Sequence, residues 1–183
     1  MADLNLPFIT KKHNPWVNSF TMDQLKRFSP KIMYDIGCGD GYYGKLIKHI
    51  FPNTHVTGID VNPKWTNYCK HLSEYDRVVL ADIKEIAYLL KGDGVIAGDV
   101  LEHLEEKDME YVLEQLVINF EWVIVNSPLN FHFQPNYETW EIHRCGINKE
   151  TYKSYNVLEF NVKEEETLGS LPMLNVLIQG KKN

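Results

Sequence analysis

The 183-residue sequence predicts an α/β fold, a doubly wound three-layer sandwich with a mostly parallel, seven-stranded sheet and an antiparallel C-terminal strand. Two observations predict it. Short apolar runs alternate with amphipathic segments from residue 31 onward, and the connections between them are short. We expect one domain over residues 1–183, with an N-terminal arm and helix over 1–30 and the core over 31–183.

Seven short segments have the composition and length of strands. Most are continuous apolar runs, as in parallel strands that are covered on both faces. The last two have a turn-rich link, Leu168–Pro172, and we expect them to pair antiparallel. The predicted strands are Lys31–Ile36, His55–Asp60, Arg77–Ala81, Gly94–Gly98, Glu121–Val125, Val157–Val162 and Leu174–Gln179.

Helices are predicted between these strands from capping residues and from apolar positions at helical spacing. Asp40 precedes a stripe of that spacing, and Asn62 precedes Pro63, which has no N–H to leave unpaired in a first turn. Asp108–Phe120 is amphipathic along its length. Shorter helices are expected after Thr21 as a cap, near Glu85–Leu90 and near Lys149–Tyr155.

Composition excludes several classes of protein. The chain has 19 Lys and Arg against 25 Asp and Glu, so no broad basic surface for nucleic acid is expected. The three cysteines, Cys38, Cys69 and Cys145, form no CxxC pair, which disfavours a disulfide framework or zinc ribbon and predicts a cytoplasmic location. No apolar run suggests a membrane partner or a signal peptide.

The glycine-rich loop Asp35-Ile-Gly-Cys-Gly-Asp-Gly41 follows the first predicted strand. One interpretation is the phosphate loop GxxxxGK[ST], which Gly39, Gly44 and Lys45 fit by spacing. Leu46 then stands where a Mg²⁺-binding hydroxyl is required. Asp40 would also place a carboxylate inside the proposed phosphate cradle, where it would repel the ligand. Both features disfavour this interpretation.

Three other interpretations of the loop remain. A dinucleotide fingerprint GxGxxG fits Gly37 and Gly39, but Tyr42 stands where a third glycine allows close packing. An acid followed by GxGxG is matched fully by Asp35, Gly37, Gly39 and Gly41. The glycines could also serve a structural turn alone. The acid favours a ligand without phosphate.

Acidic residues recur where the predicted strands end. Asp35, Asp60, Asp82 and Asp99 all stand at or just after a strand. In an open α/β sheet the ligand binds beyond the carboxyl ends of the strands, where the strand order reverses. We expect these four acids to face a cationic ligand there.

In this order the motifs resemble those of class I S-adenosylmethionine-dependent methyltransferases, in particular small single-domain members of types 11 and 12. Asp35–Gly41 is similar to the first motif of that family, Gly58–Asp60 to the end of its second strand, Ala81–Ile83 to its third motif, and Gly98–Leu104 to the stretch after its fourth strand. The resemblance implies a Rossmann-like fold, with S-adenosyl-L-methionine as cofactor and S-adenosyl-L-homocysteine as product. The implied cofactor-binding residues are Asp35, Gly37, Cys38, Gly39, Gly41, Asp60, Val61, Asp82, Ile83, Asp99 and Val100.

Methyl transfer from a sulfonium releases a neutral thioether, so it requires neither an acid nor a metal. A base helps only where the acceptor must lose a proton. We predict His103 and His143 as catalytic candidates, the first after the fourth strand and the second in the connection that follows the fifth. The alternatives are a residue that braces the helix entry, for His103, and a solvated loop residue, for His143. No metal site is expected, because His143 and Cys145 have no further ligands at suitable spacing.

The function expected from the sequence is methyl transfer to a small-molecule acceptor, and the oligomeric state stays open. The alternatives are an NAD-dependent oxidoreductase and a non-catalytic module that binds S-adenosylmethionine and regulates a partner. Aromatic residues of the arm, the glycine loop and the connection after the fifth strand could line the acceptor pocket or simply pack against the sheet. They are Trp16, Tyr42, Tyr43, Phe131, Phe133 and Trp140.

Overall fold

The computed structural model describes residues 15–132, 139–163 and 171–181, and within them seven strands form one sheet. The strands are β1 Ile32–Ile36, β2 His55–Asp60, β3 Arg77–Leu80, β4 Gly94–Gly98, β5 Trp122–Pro128, β6 Val157–Lys163 and β7 Met173–Gln179. Their order across the sheet is β3-β2-β1-β4-β5-β7-β6. Strand β7 is antiparallel to both of its neighbours, and the other pairs are parallel, which confirms the predicted fold class.

The sheet reverses its strand order between β1 and β4. Ile36 near the end of β1 stands opposite Ile59 of β2 on one side and Ala97 of β4 on the other. Every residue of β4 and β5 is buried, because their apolar runs are covered on both faces. The carboxyl ends of β1, β2 and β4 therefore meet at one edge of the sheet.

Helices cover both faces of the sheet and create two hydrophobic cores. In one core Leu46 and Ile47 pack with Met33 and Ile96. The core on the other face of the sheet contains Leu116 and Phe120. The α-helices are α1 Pro15–Leu25, α2 Tyr42–Ile50, α3 Pro63–Cys69, α4 Ile83–Ile86 and α5 Glu106–Asn119, and the 3₁₀ helices are Ala87–Leu89, Leu101–His103 and Lys149–Tyr152.

Several element boundaries differ from the sequence prediction, and helix α2 begins after Gly41 without a side-chain cap, so Asp40 does not cap it. Helix α1 begins at Pro15, so Thr21 is no cap; it is buried within the helix, and its hydroxyl accepts a hydrogen bond from Asn126 Nδ2 at 3.1 Å. Strand β5 runs on to Pro128, because Pro128 still lies opposite Met173 of β7. The helix expected near Lys149–Tyr155 is a 3₁₀ helix that ends at Tyr152.

The antiparallel pairing expected for the last two strands is confirmed, with Val162 opposite Leu174. Their link, with the exception of its last two residues, lies outside the described residues, as do residues 1–14 of the arm and Phe133. None of the helices in the described ranges has the length and hydropathy that a membrane-spanning segment requires.

Candidate functional site

A cleft of about 880 Å³ opens at the edge of the sheet where the strand order reverses. It is lined by the loop after β1, by the segments after β2, β3 and β4, and by Thr139, Trp140, Glu141, His143 and Arg144. Ligand pockets for small molecules typically measure about 300–1,000 Å³, so the cleft can hold a nucleoside with an amino-acid chain.

The glycine loop lies under the cleft in a conformation that side chains resist. Gly37, Gly39 and Gly41 have φ values of 69°, 47° and 80°, all in the left-handed region. Gly37 N and Cys38 N donate to the Ile59 carbonyl at 2.8 and 3.0 Å, which ties the loop to β2. A Cβ at Gly37 would overlap the side chain of Val100, so this glycine lets the loop after β1 approach the loop after β4.

Asp60 joins the end of β2 to the glycine loop. Its Oδ2 accepts from Gly39 N at 2.9 Å and its Oδ1 from Asn62 N at 2.8 Å. Burial raises the pKa of Asp60, and these backbone donors oppose that effect. Each carboxylate oxygen has a second lone pair, so the group can still accept hydrogen bonds from two neighbouring hydroxyls of a ligand.

Two predicted cofactor-binding residues do not line the cleft. The Asp35 carboxyl is fully buried behind the loop, where it accepts from the Tyr75 hydroxyl at 2.5 Å and from Gly44 N at 3.2 Å. Burial raises its pKa to about 7. Gly41 also lies behind the wall, since a Cβ there would meet Leu72. Asp35 therefore holds helix α2 against the loop, and its side chain does not line the cleft as the other three strand-end acids do.

The wall of the cleft is strongly acidic. Seven carboxyl groups and two cations line it, the acids being Asp40, Asp60, Asp82, Asp99, Glu102, Glu105 and Glu141 and the bases Lys84 and Arg144. Both cations have acidic partners: Lys84 lies 3.5 Å from Asp82 and 3.4 Å from Asp108, and Arg144 lies 3.7 Å from Glu105. A cationic ligand is favoured in such a cleft and a pyrophosphate is disfavoured.

The phosphate-loop interpretation fails on the position of its lysine. Lys45 Nζ donates to the Asp40 carbonyl at 3.2 Å, and Lys45 does not line the cleft. Tyr42 and Leu46 are buried in the core against which α2 packs. The lysine that this motif requires therefore does not reach the cleft.

The side of the cleft after β3 carries one polar and several apolar groups. Asp82 caps α4 by accepting from Lys84 N at 3.0 Å, and Ile83 follows it in the wall. Val61 is exposed at the rim, and Trp65 of α3 lies beside it in the same wall. Sequence reasoning missed Trp65; the signal is its place one turn into the helix that directly follows Asp60.

Asp99 closes the site on the β4 side in a strained backbone conformation. Its φ is 52°, although it is not glycine, and its N–H donates to the Asn126 carbonyl at 2.8 Å. Non-glycine residues in this region often mark functional positions. Nearby, Asn126 Nδ2 donates to the Tyr43 hydroxyl at 2.9 Å, and Tyr43 lines the cleft.

Beyond Asp99 the cleft ends at three side chains, Glu102, His103 and His143. The first two belong to the 3₁₀ helix Leu101–His103, and the third comes from the loop whose Arg144 N donates to the Glu102 carbonyl at 2.7 Å. One ligand atom from each of the three lies within 4.8 Å of the others. The two imidazole rings have centroids 5.0 Å apart.

Burial shifts the protonation of all three groups toward the neutral form. It lowers the pKa of His103 and lowers that of His143 to about 4. It raises the pKa of Glu102 well above its usual range, with the charge of Asp99 adding to the effect. Sequence reasoning gave Glu102 no role. The signal was its place next to His103, directly after a buried strand.

The predicted site residues are therefore largely brought together. Nine of the eleven proposed cofactor residues line one cleft, all except Asp35 and Gly41, and both histidines lie at its far end. Of the aromatic residues, Tyr42, Tyr43 and Trp140 line the cleft, whereas Phe131 is exposed outside it. The side chain of Trp16 and all of Phe133 lie outside the described residues.

Comparison with known proteins places the fold. Residues 34–117 match the family model of a methyltransferase domain, which includes the glycine loop, Asp60, Asp82 and the Asp99–His103 stretch. No curated protein matches the sequence.

Solved structures match over most of the chain. TehB from Haemophilus influenzae superposes with a TM-score of 0.71 at 17% identity, covering 95% of this chain and 64% of that one. The chain thus spans less than two thirds of TehB. The N-methyltransferase NodS from Bradyrhizobium japonicum WM9 has a TM-score of 0.63 at 18% identity, covering 92% and 98%. Its complex with S-adenosyl-L-homocysteine also has a TM-score of 0.63 at 18% identity, covering 90% and 87%.

Proposed function

We propose that the chain is a class I S-adenosylmethionine-dependent methyltransferase, which transfers a methyl group from S-adenosyl-L-methionine to a small-molecule acceptor. S-adenosyl-L-homocysteine is then the product. The observation that carries the proposal is the acidic cleft whose Asp60 is fixed on the Gly39 amide.

The donor set suits this cofactor. The Asp60 carboxylate would accept from the two ribose hydroxyls, and Asp82 with Ile83 would hold the adenine. The glycine loop and Asp99 would lie along the methionine part, where the sulfonium and ammonium groups carry positive charge. Six acids, counted without Glu102 because burial favours its neutral form, stand against two paired cations and favour that charge. Dinucleotides carry a pyrophosphate, which the same wall disfavours.

When bound, the cofactor supplies an electrophilic methyl group on a positively charged sulfur. The chain contributes alignment, because holding two reactants in line can lower the barrier by about 7–11 kcal/mol. We propose that the acceptor enters at the end of the cleft formed by His103, His143 and Trp140. His103 and His143 act there on the acceptor. The cleft measures about 880 Å³, which favours a small acceptor.

Two further proposals concern the cellular location of the protein and the chemical class of its acceptor. The three cysteines are free and buried, and free thiols are typical of a reducing compartment, so we propose a cytoplasmic location. The net charge of −6 and the acidic cleft argue against nucleic acid as the acceptor.

Calorimetric titration of the purified chain with S-adenosylmethionine, S-adenosylhomocysteine and NADH tests the proposal. We expect both adenosyl ligands to bind and NADH not to bind. Asp60→Asn is close in shape but loses the charge, and its single amide oxygen can keep only one of the hydrogen bonds from Gly39 N and Asn62 N. A hydrogen bond to a charged group contributes about 1.5–3 kcal/mol, so affinity should fall at least roughly 10- to 150-fold.

Asp23→Asn is the matched control, because Asp23 is an exposed acid of α1 that pairs with Lys26 away from the cleft. It should leave both affinities unchanged. Absence of heat with either adenosyl ligand would contradict the proposal, and NADH binding that Asp60→Asn weakens would favour the oxidoreductase. Methylated product in an acceptor screen, absent without S-adenosylmethionine, would exclude a purely regulatory module.

A further inference from the structure

Glu102, His103 and His143 form a compact cluster at the acceptor end of the cleft. One ligand atom of each lies within 4.8 Å of the other two, and His103 Nε2 lies 3.9 Å from Glu102 Oε1. Glu102 is 1% exposed and His143 is 5% exposed. Two imidazoles and a carboxylate are thus concentrated in a largely buried space.

Four polar atoms of this cluster have no hydrogen-bond partner among the described residues. Both carboxyl oxygens of Glu102 are buried without a hydrogen bond, and so is Nδ1 of each histidine. Buried polar atoms in folded proteins are almost always paired, and unpaired ones call for a missing partner. Arg144 N and Cys145 N both donate to the Glu102 carbonyl oxygen, so neither of these two backbone donors pairs with the Glu102 carboxyl group.

The cluster is also held in place by its surroundings. Those two backbone hydrogen bonds, at 2.7 and 3.2 Å, fix the loop that carries His143 to the 3₁₀ helix that carries Glu102 and His103. The Cys145 thiol donates to the Leu101 carbonyl at 3.5 Å and is thereby engaged elsewhere. Such a frame resembles a preformed ligand set more than three side chains that happen to meet.

We propose that Glu102, His103 and His143 bind one divalent first-row metal ion. Two neutral imidazoles and one carboxylate suit Zn²⁺, Co²⁺, Fe²⁺ or Mn²⁺, whereas Mg²⁺ and Ca²⁺ prefer oxygen ligands. Three protein ligands leave at least one position of the ion open. Since all three residues line the cleft, that position faces the ligand space.

The open position narrows the acceptor class, and this step depends on the proposed methyl transfer. An oxygen group of the acceptor, a hydroxyl above all, would occupy it. The ion lowers the pKa of a bound hydroxyl, which then loses its proton to solvent. An oxygen lone pair forms the new C–O bond while the C–S bond breaks, and the C–S electron pair stays on sulfur as a neutral thioether. The two histidines then act through the ion.

Metal titration of the whole chain tests this inference. Chelator-treated protein is titrated with Zn²⁺ by calorimetry and with Co²⁺ by visible absorption, which reports the ligand set. We expect one ion per chain. Glu102→Gln and His143→Ala should each weaken binding at least about 100-fold, since even indirect partners of metal ligands change affinity by about 10- to 100-fold.

His71→Ala is the control, because His71 is an exposed histidine after α3 and outside the cluster. It should bind Zn²⁺ like the unaltered chain. S-adenosylhomocysteine is titrated into every variant, so retained cofactor binding shows that Glu102→Gln and His143→Ala are folded. Acetohydroxamate, an oxygen chelator, should shift the Co²⁺ spectrum if a position is open, and an unchanged spectrum would contradict that step.

The outcomes separate the two proposals. No Zn²⁺ or Co²⁺ binding by the unaltered chain, or equal affinity in folded Glu102→Gln and His143→Ala, would overturn the metal site while leaving cofactor binding intact. Metal binding without binding of S-adenosylhomocysteine would support the site and reject the proposed methyl transfer.

Discussion

The buried carboxyl of Asp35 should make stability depend on pH in a direction opposite to that of most carboxylates. Burial raises its pKa from 3.8 to about 7, and the Tyr75 hydroxyl and Gly44 N–H offset only part of this. The titratable groups that face it, besides Tyr75, are Cys38, Asp40, Tyr43 and Asp60. None of these can carry a positive charge to stabilise the carboxylate.

The magnitude follows from linkage between proton binding and folding. Between pH 3.8 and about 7 the folded chain holds a proton that the unfolded chain has lost. The stability that this proton contributes is fully present below pH 3.8 and is lost as the pH rises to about 7. A shift of about 3 pKa units, at about 1.4 kcal/mol each, corresponds to roughly 4 kcal/mol.

Asp35→Asn removes the titration while its amide oxygen can still accept from Tyr75 and Gly44. In urea unfolding from pH 4 to pH 8, we expect the variant's free energy of unfolding, relative to the unaltered chain, to rise by about 4 kcal/mol. Asp76→Asn is the control of opposite sign. The Val56 N–H and Lys48 hold the pKa of Asp76 below 3.8, so the stability of this variant relative to the unaltered chain should fall as the pH rises toward 3.8 and stay constant above it; this control is therefore measured below pH 4 as well. Stability curves for Asp35→Asn and the unaltered chain that run parallel between pH 4 and pH 8 would refute a protonated Asp35.

Two further substitutions test the local structure around the cleft. Gly37→Ala should destabilise the fold for two reasons: about 1–3 kcal/mol from its left-handed backbone and a similar amount from the overlap of the new Cβ with Val100. Gly39→Ala should show only the backbone cost, because its Cβ would meet only a backbone oxygen at 3.7 Å. Denaturant unfolding measures both losses. Val100→Ala in the Gly37→Ala background should relieve the overlap and leave the loss from the left-handed backbone. Equal losses at the two glycines would contradict the packing argument. Asn62→Ala removes the side chain that caps α3 by accepting from Lys64 N at 2.9 Å. The free energy of unfolding should therefore fall by about 0.5–2 kcal/mol. An unchanged unfolding midpoint would show that this cap contributes nothing.

The sequence predicted the sheet because its signals were local. Apolar runs such as Gly94–Gly98 and a proline directly after Asn62 define a strand and a helix start within a few residues, and the structure has both. Thr21 and the helix near Lys149 were misjudged. In each case a distant contact decides: Thr21 binds Asn126, and Tyr152 is fully buried in the core at the end of a single 3₁₀ turn.

The sequence could predict those residues of the candidate site that lie at the ends of strands. Asp60, Asp82 and Asp99 follow strands that share one edge, so their convergence needs only the parallel topology. Asp35 was assigned to the ligand because it precedes the glycines, but Tyr75, 40 positions later, turns its carboxyl into a buried brace. The hydrophobic pattern of the sequence does not indicate this contact between Tyr75 and Asp35.

The cluster of Glu102, His103 and His143 also depends on contacts that the sequence does not indicate. Glu102 and His103 are adjacent in sequence, but their meeting with His143 depends on the loop that folds back through the Arg144 and Cys145 amides. The spacing of 40 residues between His103 and His143 resembles no metal-binding pattern. The sequence therefore predicted no metal site, whereas the geometry supports the one that we propose.

A crystal structure of the chain with S-adenosyl-L-homocysteine tests the central claim most directly. We expect the ribose hydroxyls on the Asp60 carboxylate, the adenine beside Ile83, and the sulfur directed toward the cluster of Glu102, His103 and His143. A ligand bound outside this cleft, or one whose sulfur points away from that cluster, would contradict the account.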